Sequence, residues 1–322
     1  MKDTDYTYAV AYIRTLENKM LTAGTLEAIL NSESYEDAVK LIHDSGFSKN
    51  GSDSDSVDGL IKKELEYAWS EAREVCPAGA PLDVLLYKND FHNLKTVLKA
   101  VITDTAWENL IIKPCITDPQ AICDAIKNTD FSELPKFMSE ACERAYKIIT
   151  ETHDGQKAEV YADRKCLEEM KKRADKEKNE FLTGWVDLNI VIANMKIAAR
   201  AVGRSKDFIS SAMVKNKDSH YERLTEAALS SFDSVCDAVA SIGYPEAAEK
   251  LKESLSDFEL WCDNKRMEYI KKAKRKCFGF DPIIAFLIAK EYELQAVRII
   301  LSGKLNGVPV NILSERLRDM YV

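Results

Sequence analysis

The chain has 322 residues, 46% hydrophobic and 30% charged, the balance of an ordinary folded protein and not of a disordered one. Its length fits about two or three domains, and only 12 Gly and 8 Pro favour long helices over a turn-rich β architecture. A formal charge of −8 excludes non-specific nucleic-acid binding as the main role, because neutralising phosphates needs a cationic surface.

The opening MKDTDYTYAV places acids where a signal peptide would be basic and then apolar, so a cytosolic protein is expected. Val39-x-x-Ile42 reads as a short amphipathic helix stopped by Gly46-Phe47, and SGFSKNGSDSDSVDG at 45–59 is polar and aperiodic, an expected mobile loop. ELEYAWSE from Glu64 opens a long helix. VCPAGAPLD at 75–83 breaks it, and HNLKTVLKA at 92–100 begins a strong helical period: Leu94, Val97, Leu98 and Val101 fall on one face.

IKPCITDP at 112–119 is the next break. After it, Cys123-x-x-Ile126 stops at Asp130-Phe131, and EVYADRKCLEEMKKRADK at 159–176 is a long charged helix. ANMKIAARA at 193–201 repeats the Asn-x-Lys pattern at the spacing of HNLKTVLKA, with Met195, Ala198, Ala199 and Val202 as its apolar face. A weaker break lies at 202–208. The order then recurs: Cys236-x-x-Val239 stops at Gly243-Tyr244, ELWCDNKRMEYIKKAKRK spans 259–276, and AVRIILSG carries Val297, Ile300 and Leu301 around Arg298. The two long charged segments share seven of 18 positions without a gap, and Lys95, Lys196 and Arg298 are spaced by 101 and 102 residues. Three homologous all-α units are therefore expected, over 1–105 with the N-terminal helix, 106–205, and 206–322 with the C-terminal helix.

The repeated acid matters most. Val160, Asp163, Leu167 and Met170 share a stripe, as do Leu260, Asp263, Met267 and Ile270, and a carboxylate in an apolar stripe needs a partner. The repeated cations offer one, so Asp163 is expected to meet Lys196, and Asp263 to meet Arg298. Lys95 lacks such an acid in its own unit, where Ala68 takes the place. These five residues are read as inter-helix clamps.

Little else points to chemistry. His43, His92, His153 and His220 lack metal-ligand spacing, and the eight cysteines contain no C-x-x-C, so reduced structural thiols are expected. SGKLNG at 302–307 lacks phosphate-loop spacing, and Gly303 and Gly307 read as a helix stop followed by a turn. The basic runs at 170–176 and 271–276 read as cations near the C-terminal ends of long helices, where the macrodipole is negative. FDPIIAFLIAKEY is the longest apolar run, and Lys290 and Glu291 interrupt it.

The C-terminal stretch FGFDPIIAFLIAKEYELQAVRIILSGKLNGVP closely resembles the signature of the C-subunit family of archaeal- and bacterial-type V/A-ATPases, whose eukaryotic relative is the vacuolar d subunit. The matching residues are Phe278-Gly279 with Pro282, Ala289-Lys290-Glu291 with Glu293, Arg298-Ile299-Ile300, Gly303-Lys304, and Gly307-Val308-Pro309. YAVAYIRTLENKMLT, through Arg14, Leu16 and Glu17, resembles that family's first helix. LYKNDFHNLKTVLKA matches through Asp90, Asn93 and Lys95. The resemblance implies three similar helical domains in a funnel around a pseudo-threefold axis, and no catalytic residue, cofactor or metal. It implies a central-stalk rotor subunit, monomeric within a hetero-oligomer on the cytoplasmic side. Its expected partners are the D and F subunits of the axle and the cytoplasmic loops of the membrane ring that carries H+ or Na+, without nucleic acid or direct membrane insertion. The alternative from the residues alone is a free-standing helical-repeat adaptor that binds a partner helix or peptide in a groove.

Overall fold

The computed structural model describes residues 2–47, 56–217 and 220–322, among which helices are the only regular secondary structure. Most of the loop expected to be mobile, 48–55, lies outside the described residues. The first helices are α1 (Thr7–Glu17), α2 (Ala23–Leu30), α3 (Tyr35–Asp44), α4 (Val57–Val75) and α5 (Asp83–Thr103). Next come α6 (Pro119–Asn128), α7 (Lys136–Thr152), α8 (Gly155–Glu177), α9 (Glu180–Arg200) and α10 (Lys206–Ala212). The chain ends with α11 (Tyr221–Ser230), α12 (Phe232–Ser241), α13 (Pro245–Glu253), α14 (Leu255–Lys271), α15 (Asp281–Leu305) and α16 (Val310–Glu315). No helix among the described residues is long and apolar enough to cross a membrane.

Local chemistry fixes the ends. Thr22, Ser34, Ser56, Asp118, Asp154 and Asn179 each accept a backbone N–H of the first turn they precede, satisfying a donor that the helix itself leaves free. Pro119 sits at the start of α6, where a missing N–H costs nothing. The three stops read from aromatic-flanked turns lie just past α3, α6 and α12, with Gly46 and Gly243 at positive φ and Thr129 in the left-handed region.

Helix packing divides the chain into two compact units, one of Met1–Ala80 with Glu259–Val322 and the other of Pro81–Phe258. In the first, α15 packs along α4 and against α1, α2 and α3. Its core joins Leu26, Ile29, Ile42 and Phe47 to Leu294, Val297, Ile300 and Leu301, all fully or nearly fully buried. Residues 281–290 of α15 are buried without interruption, which fits a segment enclosed on all sides, while Gln295 and Arg298 further along are exposed. In the second unit, α5 packs on α6 and α8, α8 on α7 and α9, and α9 on α11 and α12. The Asn-x-Lys helix α5 thus lies against the short helix and long helix that follow it in sequence, and α15 lies against the short and long helices α3 and α4 near the start of the chain.

The buried stripe of α8 is Ala158, Ala162, Cys166, Met170 and Ala174. This corrects the stripe through Val160, Asp163 and Leu167: the Asp163 side chain is 64% exposed. The buried acid of α8 is Glu169, held by Lys165 at 2.9 Å and Lys172 at 3.5 Å. Gly303 is also corrected. It lies inside α15, and a Cβ there would come within 2.2 Å of Leu313 Cδ2, so its small size lets α16 close onto α15. The turn belongs to Gly307, at φ 65°.

Candidate functional site

Most of the polar residues singled out by the repeat and by the resemblance fall into two groups, backbone-holding groups and ion pairs. In α5, Asn93 Nδ2 donates to the Ile112 carbonyl at 3.0 Å and its Oδ1 accepts the Ile112 N–H at 2.9 Å. One turn earlier, Asp90 accepts the N–H groups of Ile116 at 2.9 Å and Thr117 at 2.6 Å. Asn89 Nδ2 donates to the Pro114 carbonyl at 2.8 Å. Three polar positions within two turns of one helix therefore tie down the strap that leads into α6. Burial raises the Asp90 pKa, opposed by the backbone donors.

The second copy repeats the carboxamide bridge. Asn194 of α9 donates to the Val214 carbonyl at 2.9 Å and accepts the Val214 N–H at 3.0 Å, both groups buried. In α15 the Asn position is Ala296, and the holding group has moved three residues back. Glu293, at the place of Asp90, accepts the Leu21 N–H at 2.5 Å, just before α2. The repeat read from Asn-x-Lys spacing is thus a repeat of structural role: an inner helix presents a buried acceptor to the strap ahead of a short helix.

Glu293 also belongs to a buried charge cluster. Lys290 Nζ lies 2.6 Å from Glu293 Oε2 and 3.1 Å from Glu64 Oε1, with all three side chains at least nine-tenths buried. Burial works to lower the Lys290 pKa, but the Glu293 and Glu64 carboxylates overcome it, and the ammonium titrates above its ordinary value. Burial pushes the Glu293 carboxyl up, against the pull of Lys290 and of the Leu21 N–H. The sequence marks Glu64 only as an aligned glutamate and does not reveal it as the partner of Lys290. Its place in an apolar turn, flanked by Ile61 and Ala68, is the available signal.

The exposed cations pair differently from the expectation. Asp163 meets Lys95 at 2.5 Å and makes no ion pair with Lys196. Asp263 meets Arg266 at 2.9 Å and Arg318 at 3.1 Å, and Arg298 meets Asp58 at 3.0 Å. The physical reason lies in the packing: α8 turns Asp163 towards α5, and α15 turns Arg298 towards the first turn of α4. Lys95 of α5 therefore takes its acid from α8. Lys304 donates to the Ser32 carbonyl at 2.5 Å, and Glu291 sits half-buried on α15.

The opening helix α1 contributes a further lock. Arg14 Nη2 donates to the carbonyls of Ala273 at 2.7 Å, Lys274 at 3.2 Å and Lys276 at 2.8 Å, while Glu17 accepts from the Tyr321 hydroxyl at 3.1 Å. The negative end of the basic segment after α14 is thus closed by a guanidinium. Among the described residues, no group of three or more His, Cys, Asp or Glu side chains is placed to hold a metal ion. His92 Nε2 lies 3.2 Å from the Leu110 carbonyl and 3.4 Å from Thr96 Oγ1. Of the cysteines, 123, 142, 166, 236 and 262 are buried, and Cys277 is exposed.

The family model of the ATP synthase (C/AC39) subunit matches residues 9–316. The chain belongs to this family. Its relatives include the C subunit of the V-type sodium ATPase of Enterococcus hirae, 23% identical, with 96% of this chain and 97% of the relative aligned. The C subunit of the A-type ATP synthase of Methanocaldococcus jannaschii is also 23% identical, over 98% of this chain and 86% of the relative. Its counterpart in the V-type ATP synthase of Deinococcus radiodurans is 27% identical over 40% of each chain.

Proposed function

We propose that this chain is a non-catalytic central-stalk rotor subunit of a V/A-type rotary ATPase or ATP synthase. On this reading it couples the D and F subunits of the axle to the membrane ring of ion-carrying subunits, and transmits torque between ATP chemistry and H+ or Na+ transport. It works on the cytoplasmic side, peripheral to the membrane through its partners. The observation that carries the proposal is the family match from residue 9 to residue 316, together with the near-complete alignment with the Enterococcus hirae relative.

Physical chemistry agrees with that assignment. A torque transmitter must resist bending, and straps fixed by paired hydrogen bonds to buried side chains give helix packing little freedom to slide. Three repeat units, over 1–105, 106–205 and 206–322 about a pseudo-threefold axis, are part of the same reading. The recurrence of a buried acceptor at Asp90/Asn93, Asn194 and Glu293 supports them. Lys95, Asp163, Lys196, Asp263 and Arg298 are proposed as structural residues within this body.

The test is a complex assembled with and without the chain in sealed vesicles. Without it, ATP hydrolysis by the soluble part is expected to persist while ATP-driven ion uptake falls to background. Undiminished ion uptake in its absence would overturn the proposal.

A further inference from the structure

A cleft of about 770 Å³ opens in the second unit between α7, α8 and the turn leading into α10. Three arginines from three separate elements line it: Arg144 of α7, Arg164 of α8 and Arg204 of the turn. Neither Arg144 nor Arg204 has an ion-pair partner among the described residues. Arg164 lies 3.4 Å from Glu168, yet its Nε is enclosed without a hydrogen-bond acceptor. In a protein of net charge −8, three guanidinium groups gathered at one cleft are not an average of the surface.

Rings fix two of these cations. Arg164 Cζ lies 5.9 Å from the centre of the Tyr161 ring, and Arg204 Cζ 5.4 Å from that of Phe208, so each guanidinium packs against an aromatic face. Two carboxylates share the cleft: Asp154 caps α8 through the Lys157 N–H and sits 3.6 Å from Lys157 Nζ, and Asp207 lies exposed in the first turn of α10, against three arginines and Lys157.

We propose that this cleft binds a phosphate-bearing small anion through Arg144, Arg164 and Arg204. A phosphoryl group offers three oxygens in a tetrahedral array and can accept N–H donors from three sides, whereas a carboxylate offers two in one plane. The guanidinium fork matches phosphate geometry, and its charge persists at every working pH. The burial-raised pKa of the Tyr161 phenol keeps a neutral hydroxyl, and not a repelling phenolate, beside the anion.

Titration calorimetry on the full chain in low-salt buffer tests this, with pyrophosphate as the first probe and ADP as the second. Saturable binding of pyrophosphate is expected, weakened by added salt and reduced about tenfold or more in Arg144→Ala and in Arg204→Ala. Both side chains are exposed, so these variants keep the fold and decide the question even if Arg164→Ala does not. Arg164→Lys keeps the charge without the fork and is expected to bind more weakly than the parent. ADP binding tighter than pyrophosphate would identify a nucleotide as the source of the phosphate, and equal binding a free oligophosphate. Absence of saturation, or the same loss in the surface variant Lys62→Ala, which does not line the cleft, would overturn the proposal.

Discussion

Two ion pairs of similar length have opposite energetic meaning. Lys95 and Asp163 approach to 2.5 Å, but with side chains 28% and 64% exposed they gain little over solvation by water. Lys290 sits between Glu64 and Glu293 with almost no access to water. Removing its charge strands two carboxylates in the core, so Lys290→Met is expected to cost about 3–5 kcal/mol at neutral pH. Asp163→Ala is expected to cost about 1 kcal/mol or less. Urea denaturation of both variants measures the contrast. Adding Glu64→Leu and Glu293→Gln to Lys290→Met should recover most of the loss, because the penalty comes from unpaired charge and not from the missing ammonium itself. Equal costs for the two single variants would contradict this account.

Among the elements, the inner helices α5 and α9 carry the same device, and a matched pair of substitutions tests whether it does the same work. Asn93→Ala and Asn194→Ala each remove two hydrogen bonds and leave a backbone N–H and C=O without partners, at Ile112 and Val214. Each is expected to cost about 2–3 kcal/mol, with Asn194→Ala the more damaging because its bonds are fully buried. Amide hydrogen exchange should report it locally, by faster exchange at Ile112 in one variant and Val214 in the other. The sequence makes these asparagines visible through their spacing, because a repeated helix retains the polar residue that its strap needs. The partners are not legible, since Ile112 and Val214 contribute backbone groups that any residue type would supply. The Asp163 assignment fails for a related reason: Ala158, Ala162 and Cys166 are the buried side of α8, and small residues register weakly beside Val160 and Leu167 when hydropathy alone sets the stripe. Gly303 misleads in the opposite direction. Its lack of a side chain looks like a helix end, whereas the cause is Leu313, further along the chain and invisible to a local pattern.

Across the whole molecule, the all-helical class and the breaks at 75–83 and 112–119 are legible because periodicity and Pro/Gly punctuation are local properties. A global property less visible in sequence is how burial distributes proton affinity. Cys76 is pushed up to about 11 and Cys142 to about 12 by burial. Burial likewise raises Tyr6, Tyr87 and Tyr292 to about 12. These acids stay protonated in the fold above the pH at which the unfolded chain releases the same protons, near 9 for thiols and 10 for phenols. The unfolded state then binds fewer protons than the native state, so stability falls as pH rises. Lys290 adds to the same slope: its contribution is fully present below the ordinary lysine value of 10.5 and is lost as pH climbs through its raised native value. The denaturation midpoint is therefore expected to start falling near pH 9 and to fall more steeply beyond 10. Cys142→Ala should flatten the first part of that decline and leave the added steepness above 10 in place, since that part belongs to the phenols and Lys290. A midpoint constant up to about pH 11 would mean that these groups reach water in the folded protein.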